Sequence, residues 1–116
     1  MAAAYSAVMT EAFVLEYLRT PRGKASPRGA LHHLSPVDLV VALQRELVHR
    51  TGMEPADVED VVLGIATQRG EQGADLARTA SLLAGWPHSV PGITVNRFCA
   101  SGLDAVAMAA SRVRSQ

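Results

Sequence analysis

The sequence predicts a layered α/β domain whose strands run mostly parallel, in the order βαβαβα. Three observations carry that expectation. Val61-Val62-Leu63-Gly64-Ile65-Ala66 is an unbroken apolar run, as in a strand covered on both faces, and such strands belong to parallel sheets. Apolar residues recur at helical spacing before it, in Val37, Val40, Val41, Leu43, Leu47 and Val48, and again near the end, in Leu103, Val106, Ala107, Ala110 and Val113. Pro and Gly divide the chain into pieces of strand length and helix length.

Ala12-Phe13-Val14-Leu15-Glu16-Tyr17 reads as the first strand, running into a turn at Thr20-Pro21-Arg22-Gly23, where Pro presets one φ and Gly tolerates another. The stretch to Leu34 carries Arg19, Arg22, Lys24 and Arg28. It has neither a P-loop pattern nor aromatics, and reads as a solvated basic loop rather than a phosphate site. Ser35-Pro36-Val37-Asp38 starts a helix: Ser35 caps, Pro36 sits where a missing N–H costs nothing, and Asp38 closes a capping box. Arg45, Glu46 and Arg50 lie off the apolar stripe, and Gly52 suits the C-terminal cap. Residues 55–60 are a polar connector into the second strand. A loop at 67–73 leads to a helix over about 74–84, with Leu76, Ala80 and Leu83 on its apolar face and Gly85 and Pro87 beyond its end. Pro91-Gly92 turns the chain into a short third strand, Ile93-Thr94-Val95. The last helix follows Cys99 and reaches Arg114-Ser115-Gln116 with no further strand to receive it, the expectation for a fragment or a truncated product.

A chain of 116 residues, 48% apolar and 19% charged, suits one packed domain, and with aromatics at 4% its core must be built from Ala, Val and Leu. Eleven cations balance eleven acids, and each half is neutral too: six against six through Val58, five against five after it. That balance gives no general grip on nucleic acid or on an anionic membrane, and neither partner is expected. The single Cys99 excludes an intrachain disulfide and any multi-cysteine zinc site. His32, His33, His49 and His88 show no metal-ligand spacing, so no metal is expected. No apolar run approaches the ~20 residues that cross a bilayer. The first nine residues lack the cationic and long apolar segments of a secretory leader and the Arg of a transit peptide, which favours a reducing, cytoplasmic setting.

Cys99 lies between the third strand and the Ala-rich final helix. The first N–H groups of a helix have no partners within it and carry positive potential, which favours a thiolate and can hold an oxyanion when that thiolate attacks a carbonyl. Gly102, one turn in, leaves room for another backbone or an acyl group. Position alone leaves open the blander fate of a free cysteine, a small buried hydrophobe. Spacing identifies no base, and His88, the nearest histidine in sequence, sits in a loop.

Asn96-Arg97-Phe98-Cys99-Ala100-Ser101-Gly102-Leu103 resembles the nucleophile motif of the degradative thiolases, the acetyl-CoA acyltransferases. Further stretches agree in order: Arg19-Thr20-Pro21 with Gly23-Lys24, Ser35-Pro36-Val37-Asp38-Leu39, Asp60-Val61-Val62-Leu63-Gly64, Ala77-Arg78, and Ser89-Val90-Pro91-Gly92. The resemblance covers residues 11–116, leaving 1–10 as an N-terminal extension. It implies a layered thiolase-like fold, of which this chain is the first half of the N-terminal domain, incomplete at its C-terminal end. It also implies that Cys99 is the nucleophile, attacking the keto carbon of a 3-ketoacyl-CoA with its own N–H on the oxyanion. Carbon–carbon cleavage would release acetyl-CoA, and a second CoA would collect the acyl group from Cys99. Coenzyme A is thus implied as a substrate, with no tightly bound cofactor, in a homo-oligomer (dimer or tetramer) of the full-length protein. The family's activating histidine, its second cysteine, the Asn-His pair of its other oxyanion site and its CoA-binding loop have no counterpart before Gln116. The chain alone is therefore expected to be inactive. The alternative is a non-catalytic dimerisation or binding module derived from a thiolase. A ketoacyl synthase, which shares the general fold and an active Cys, matches Arg19-Thr20-Pro21 and Asn96 to Leu103 less well.

Overall fold

The computed structural model describes residues 11–116, so the expected extension at 1–10 lies outside the described residues. Helix α1 spans Pro36–Thr51, strand β1 Val61–Gly64, helix α2 Leu76–Leu83, strand β2 Gly92–Val95 and helix α3 Ser101–Arg114.

Helix α1 begins as its sequence dictates. The Asp38 N–H donates to Ser35 Oγ at 3.3 Å and the Ser35 N–H donates back to Asp38 Oδ2 at 2.9 Å, a complete capping box with Pro36 in the first turn. It ends at Gly52, whose φ of 66° is left-handed and whose N–H donates to the Val48 carbonyl. A short 3-10 turn at Pro55–Asp57 leads into β1. Helix α2 starts at Leu76, slightly later than expected, because Asp75 caps it by accepting the Arg78 N–H at 3.1 Å. Arg45, off the stripe of α1, donates through Nη2 to the Leu83 carbonyl at 3.0 Å and so satisfies the far end of α2.

The strands pair in parallel, Val61 opposite Gly92 and Gly64 opposite Val95, with α2 as the crossover. Strand alternation assigns the faces. A Cβ on Gly92 would meet the backbone of Ala77 and Arg78 in α2, whereas a Cβ on Gly64 would meet Ser101 in α3. Gly92 is level with Val61, and Gly64 is three residues further along, so the two Cβ directions point to opposite faces. The sheet therefore separates α2 from α3, and α1 packs on α2. The core comprises Val41, Leu76, Ala77, Ala80, Trp86 and Val90 around α2, with Ile65 just past β1 and Ala105 in α3. One polar pair is buried there: Gln44 Nε2 donates to Ser81 Oγ at 2.9 Å, and Ser81 donates to the Ala77 carbonyl. Gln44 Oε1 is buried without a partner among the described residues.

Among the described residues the expected first strand does not form. Residues 12–17 pair with no other described residue, and Phe13 and Leu15 are 74% and 91% exposed, so the described residues follow the order αβαβα and form a sheet of two strands. Ala12, Phe13 and Val14 border a cleft of about 270 Å³ with Val62, Ala105 and Ala109, close to β1 but not hydrogen-bonded to it. Apolar composition suits a strand, but pairing holds one in place, and this segment finds none among the described residues. Among the described residues no helix is long and apolar enough to cross a membrane.

Candidate active site

Strand β2 ends at Val95 and α3 begins at Ser101, so the chain reverses within residues 96–100, at the carboxyl end of the sheet where α/β folds place their ligands. Three side chains shape this turn. Asn96 Oδ1 accepts the Phe98 N–H at 2.8 Å. Ser101 Oγ accepts the Arg97 N–H at 2.9 Å and donates to the Phe98 carbonyl at 2.6 Å. Arg97 Nε lies 3.1 Å from Asp104 Oδ2, tying the turn to the first turn of α3. Phe98 takes a φ of 46°, a left-handed conformation that a non-glycine residue keeps only when its surroundings impose it.

Cys99 stands on this elbow with its side chain exposed, so the buried-hydrophobe alternative does not describe it. The backbone bonds of the turn run from the Ala100 N–H to the Arg97 carbonyl, from the Ser101 N–H to the Phe98 carbonyl, and from the Asp104 N–H to the Ala100 carbonyl. The Cys99 N–H takes part in none of them. An exposed thiol beside an uncommitted N–H at a helix start has the geometry for attack on a carbonyl with stabilisation of the oxygen that becomes charged.

Among the described residues the structure brings no base to the thiol. No hydrogen bond joins Cys99 to a histidine among the described residues. His88 is held instead by its backbone, whose carbonyl accepts Arg78 Nη2 at 2.9 Å, while Arg78 Nη1 also bonds the Val90 carbonyl. The basic loop folds into successive turns around a cleft of about 490 Å³ lined by Lys24, Ser26, Pro27, Leu31 and His32, with no hydrogen bond or ion pair to the elbow among the described residues. Among the described residues nothing lies within 4 Å of a Cβ built on Gly102, so the room expected there is open. Among the described residues no group of three or more His, Cys, Asp or Glu could hold a metal ion.

Two contributions escaped the sequence. Ser101 and Gly64 stand inside the quoted motifs, yet spacing assigned them no task. Ser101 reaches backwards out of its helix, and Gly64 is the surface against which that helix starts. The available signal was a glycine closing an otherwise β-branched and leucine-rich strand.

The family described as Thiolase, N-terminal domain, matches residues 12–116. A 3-ketoacyl-CoA thiolase of Bacillus subtilis (strain 168) is 42% identical over 105 residues, 90% of this chain and 27% of that protein. The steroid 3-ketoacyl-CoA thiolase FadA6 of Mycobacterium tuberculosis is 43% identical over 109 residues, 94% of this chain and 26% of that protein. The crystal structure of the Bacillus anthracis acetyl-CoA acetyltransferase superposes with a TM-score of 0.68 at 44% identity, covering 74% of this chain and 22% of the other. The chain thus spans about a quarter of the length of the curated relatives it matches.

Proposed function

Because this chain belongs to the thiolase family, we propose that it carries the nucleophile side of an acyltransferase site, with Cys99 as the group that accepts the acyl chain. The observation that carries this reading is the elbow at residues 96–101, where an exposed thiol stands beside an N–H that no backbone acceptor among the described residues uses.

The chemistry follows from that placement. The Cys99 thiolate adds to the keto carbon of a 3-ketoacyl-CoA, and the Cys99 N–H donates to the oxygen that becomes an oxyanion. Collapse of the adduct breaks the adjacent carbon–carbon bond. The electron pair leaves with the acetyl-CoA fragment, which takes up a proton, and the shortened acyl group stays on Cys99 as a thioester. The thiol of a second CoA attacks that thioester, loses its proton, and restores the Cys99 thiolate as the new acyl-CoA departs. Coenzyme A is a substrate here, and nothing in the scheme calls for a tightly bound cofactor. The site is proposed to work within a homo-oligomer, dimer or tetramer.

Proton transfers are where this chain falls short. No histidine contacts Cys99 among the described residues, and general acid–base help contributes ~10²–10⁴-fold in such reactions. The chain alone should therefore accept acyl groups slowly and turn over negligibly. Mass spectrometry after incubation with acetyl-CoA tests this directly. The expected result is a slowly formed acetyl adduct on Cys99, absent from Cys99→Ala, with no measurable thiolysis of acetoacetyl-CoA. An adduct that survives Cys99→Ala, or none at all, overturns the assignment of the nucleophile.

A further inference from the structure

We infer that Ser101 is a positioning residue for Cys99: its hydroxyl pins the elbow in the shape that leaves the Cys99 N–H uncommitted and the thiol facing out. The inference rests on the reading of Cys99 as the acyl-accepting nucleophile.

Ser101 is 3% exposed, and both capacities of its hydroxyl are used upstream of its own helix. It accepts from the Arg97 N–H at 2.9 Å and donates to the Phe98 carbonyl at 2.6 Å. These two partners belong to the residues immediately preceding Cys99. The arrangement differs from ordinary capping, in which a serine before the helix accepts from N–H groups inside it. The cap position of α3 is Ala100, which has no side-chain bond to give. It differs also from the other buried serine: Ser81 donates to the Ala77 carbonyl one turn back in the same helix.

Two features show why the elbow needs a pin. Phe98 sits at a φ of 46°, where an L-residue relaxes unless restrained, and relaxation would rotate the peptide that carries the Cys99 N–H. Ser101 itself cannot drift towards the sheet, because a Cβ built on Gly64 comes within 2.3 Å of its carbonyl oxygen, which marks how closely the two backbones approach. The hydroxyl thus works from a fixed seat. Without it the Arg97 N–H loses its acceptor, and the strained Phe98 residue keeps the Asn96 bond to its N–H and the Ser101 backbone N–H on its carbonyl, with no side chain joining Arg97 to Phe98.

The test separates positioning from plain stability by two reactions of the same sulfur. Acylation by acetyl-CoA needs the oxyanion donor, whereas alkylation by iodoacetamide is a displacement that does not. In the 116-residue chain, Ser101→Ala should lower the ratio of acylation to alkylation about tenfold, since the loss of an aligned oxyanion donor costs ~10²–10³ and misalignment part of that. Ser101→Thr and Ser101→Val have the same shape and differ by the hydroxyl. Thr should keep the ratio within about threefold and Val should lose it like Ala. This pair decides the matter if Ala proves too unstable to assay. Ser81→Ala is the control for a lost buried hydroxyl, and its ratio should be unchanged. Wild-type chain that is alkylated but never acylated at Cys99 overturns the nucleophile reading and this inference with it. Wild-type acylation with equal ratios in Thr and Val overturns the role of Ser101 alone.

Discussion

Replacing Gly64 by alanine asks whether the seat of α3 is set by backbone contact with the end of β1. An alanine Cβ would lie 2.3 Å from the Ser101 carbonyl oxygen and 2.6 Å from the Gly102 nitrogen, where 3.4 Å or more is ordinary contact. The obstacles are backbone atoms in the first turn of a helix, so no rotamer change relieves the overlap. The helix start must withdraw by about 1 Å, the difference between those distances. Overpacking of this kind costs ~1–3 kcal/mol. Against it stands the stiffening of the unfolded chain by Gly→Ala, which favours the variant by ~0.4–1 kcal/mol. The clash wins, leaving a net loss of about 1–2 kcal/mol and a melting temperature lower by roughly 5–10 °C. Thermal and urea melts measure the loss, and acetyl-CoA acylation of Cys99 should fall with it because Ser101 moves. A Gly64→Ala chain that melts at or above the wild-type temperature and acylates at the wild-type rate would refute the reasoning.

Three further outcomes are expected. Gln44→Met should be neutral or stabilising by up to ~1 kcal/mol in urea melts: one hydrogen bond worth ~0.5–1.5 kcal/mol is lost, but the buried Oε1, which has no partner among the described residues and so costs ~1–3 kcal/mol, goes with it. A clear loss of stability would show that Oε1 has a partner after all. The Asp38 carboxyl is held below the ordinary value of 3.8 by its bonds to Ser35, so its contribution to α1 is complete above that value and disappears as the pH falls through the lowered one. Asp38→Ala should therefore destabilise the chain at neutral pH and flatten the acid limb of its stability profile; an acid limb as steep as the wild type's would contradict this. Sedimentation velocity near neutral pH should show self-association that grows with concentration, because formal charge is zero and the exposed apolar segment at 12–17 lies beside a strand edge that no described residue pairs. A single monomeric species throughout would mean that these surfaces do not pair.

Much of the architecture was legible because its causes are local. Ser35, Pro36, Asp38 and Gly52 mark both ends of α1 by cap chemistry that involves only their neighbours. The run from Val61 announced a covered strand, and its parallel partner at Gly92–Val95 followed from the intervening helix. The strand at 12–17 misled for the opposite reason: an apolar segment says nothing of whether a ladder partner stands beside it. At the site, Cys99 was conspicuous as a residue type at a junction. What shapes the junction was not, since the Ser101 hydroxyl bonds two residues upstream and Gly64 acts from 37 positions away. Motif reading locates a reactive atom more readily than the parts that aim it.

The exposed sulfur on the elbow also puts a ceiling on covalent chemistry between molecules. A chain with one cysteine can be joined to one other by a disulfide and then has no thiol left to extend the chain of links. Air oxidation therefore stops at a Cys99–Cys99 pair, and any larger assembly is held by surfaces rather than bonds. On a denaturing gel without reductant the two origins separate cleanly: a dimer band reports the elbow, and everything larger in solution reports the sheet edge and the apolar segment beside it.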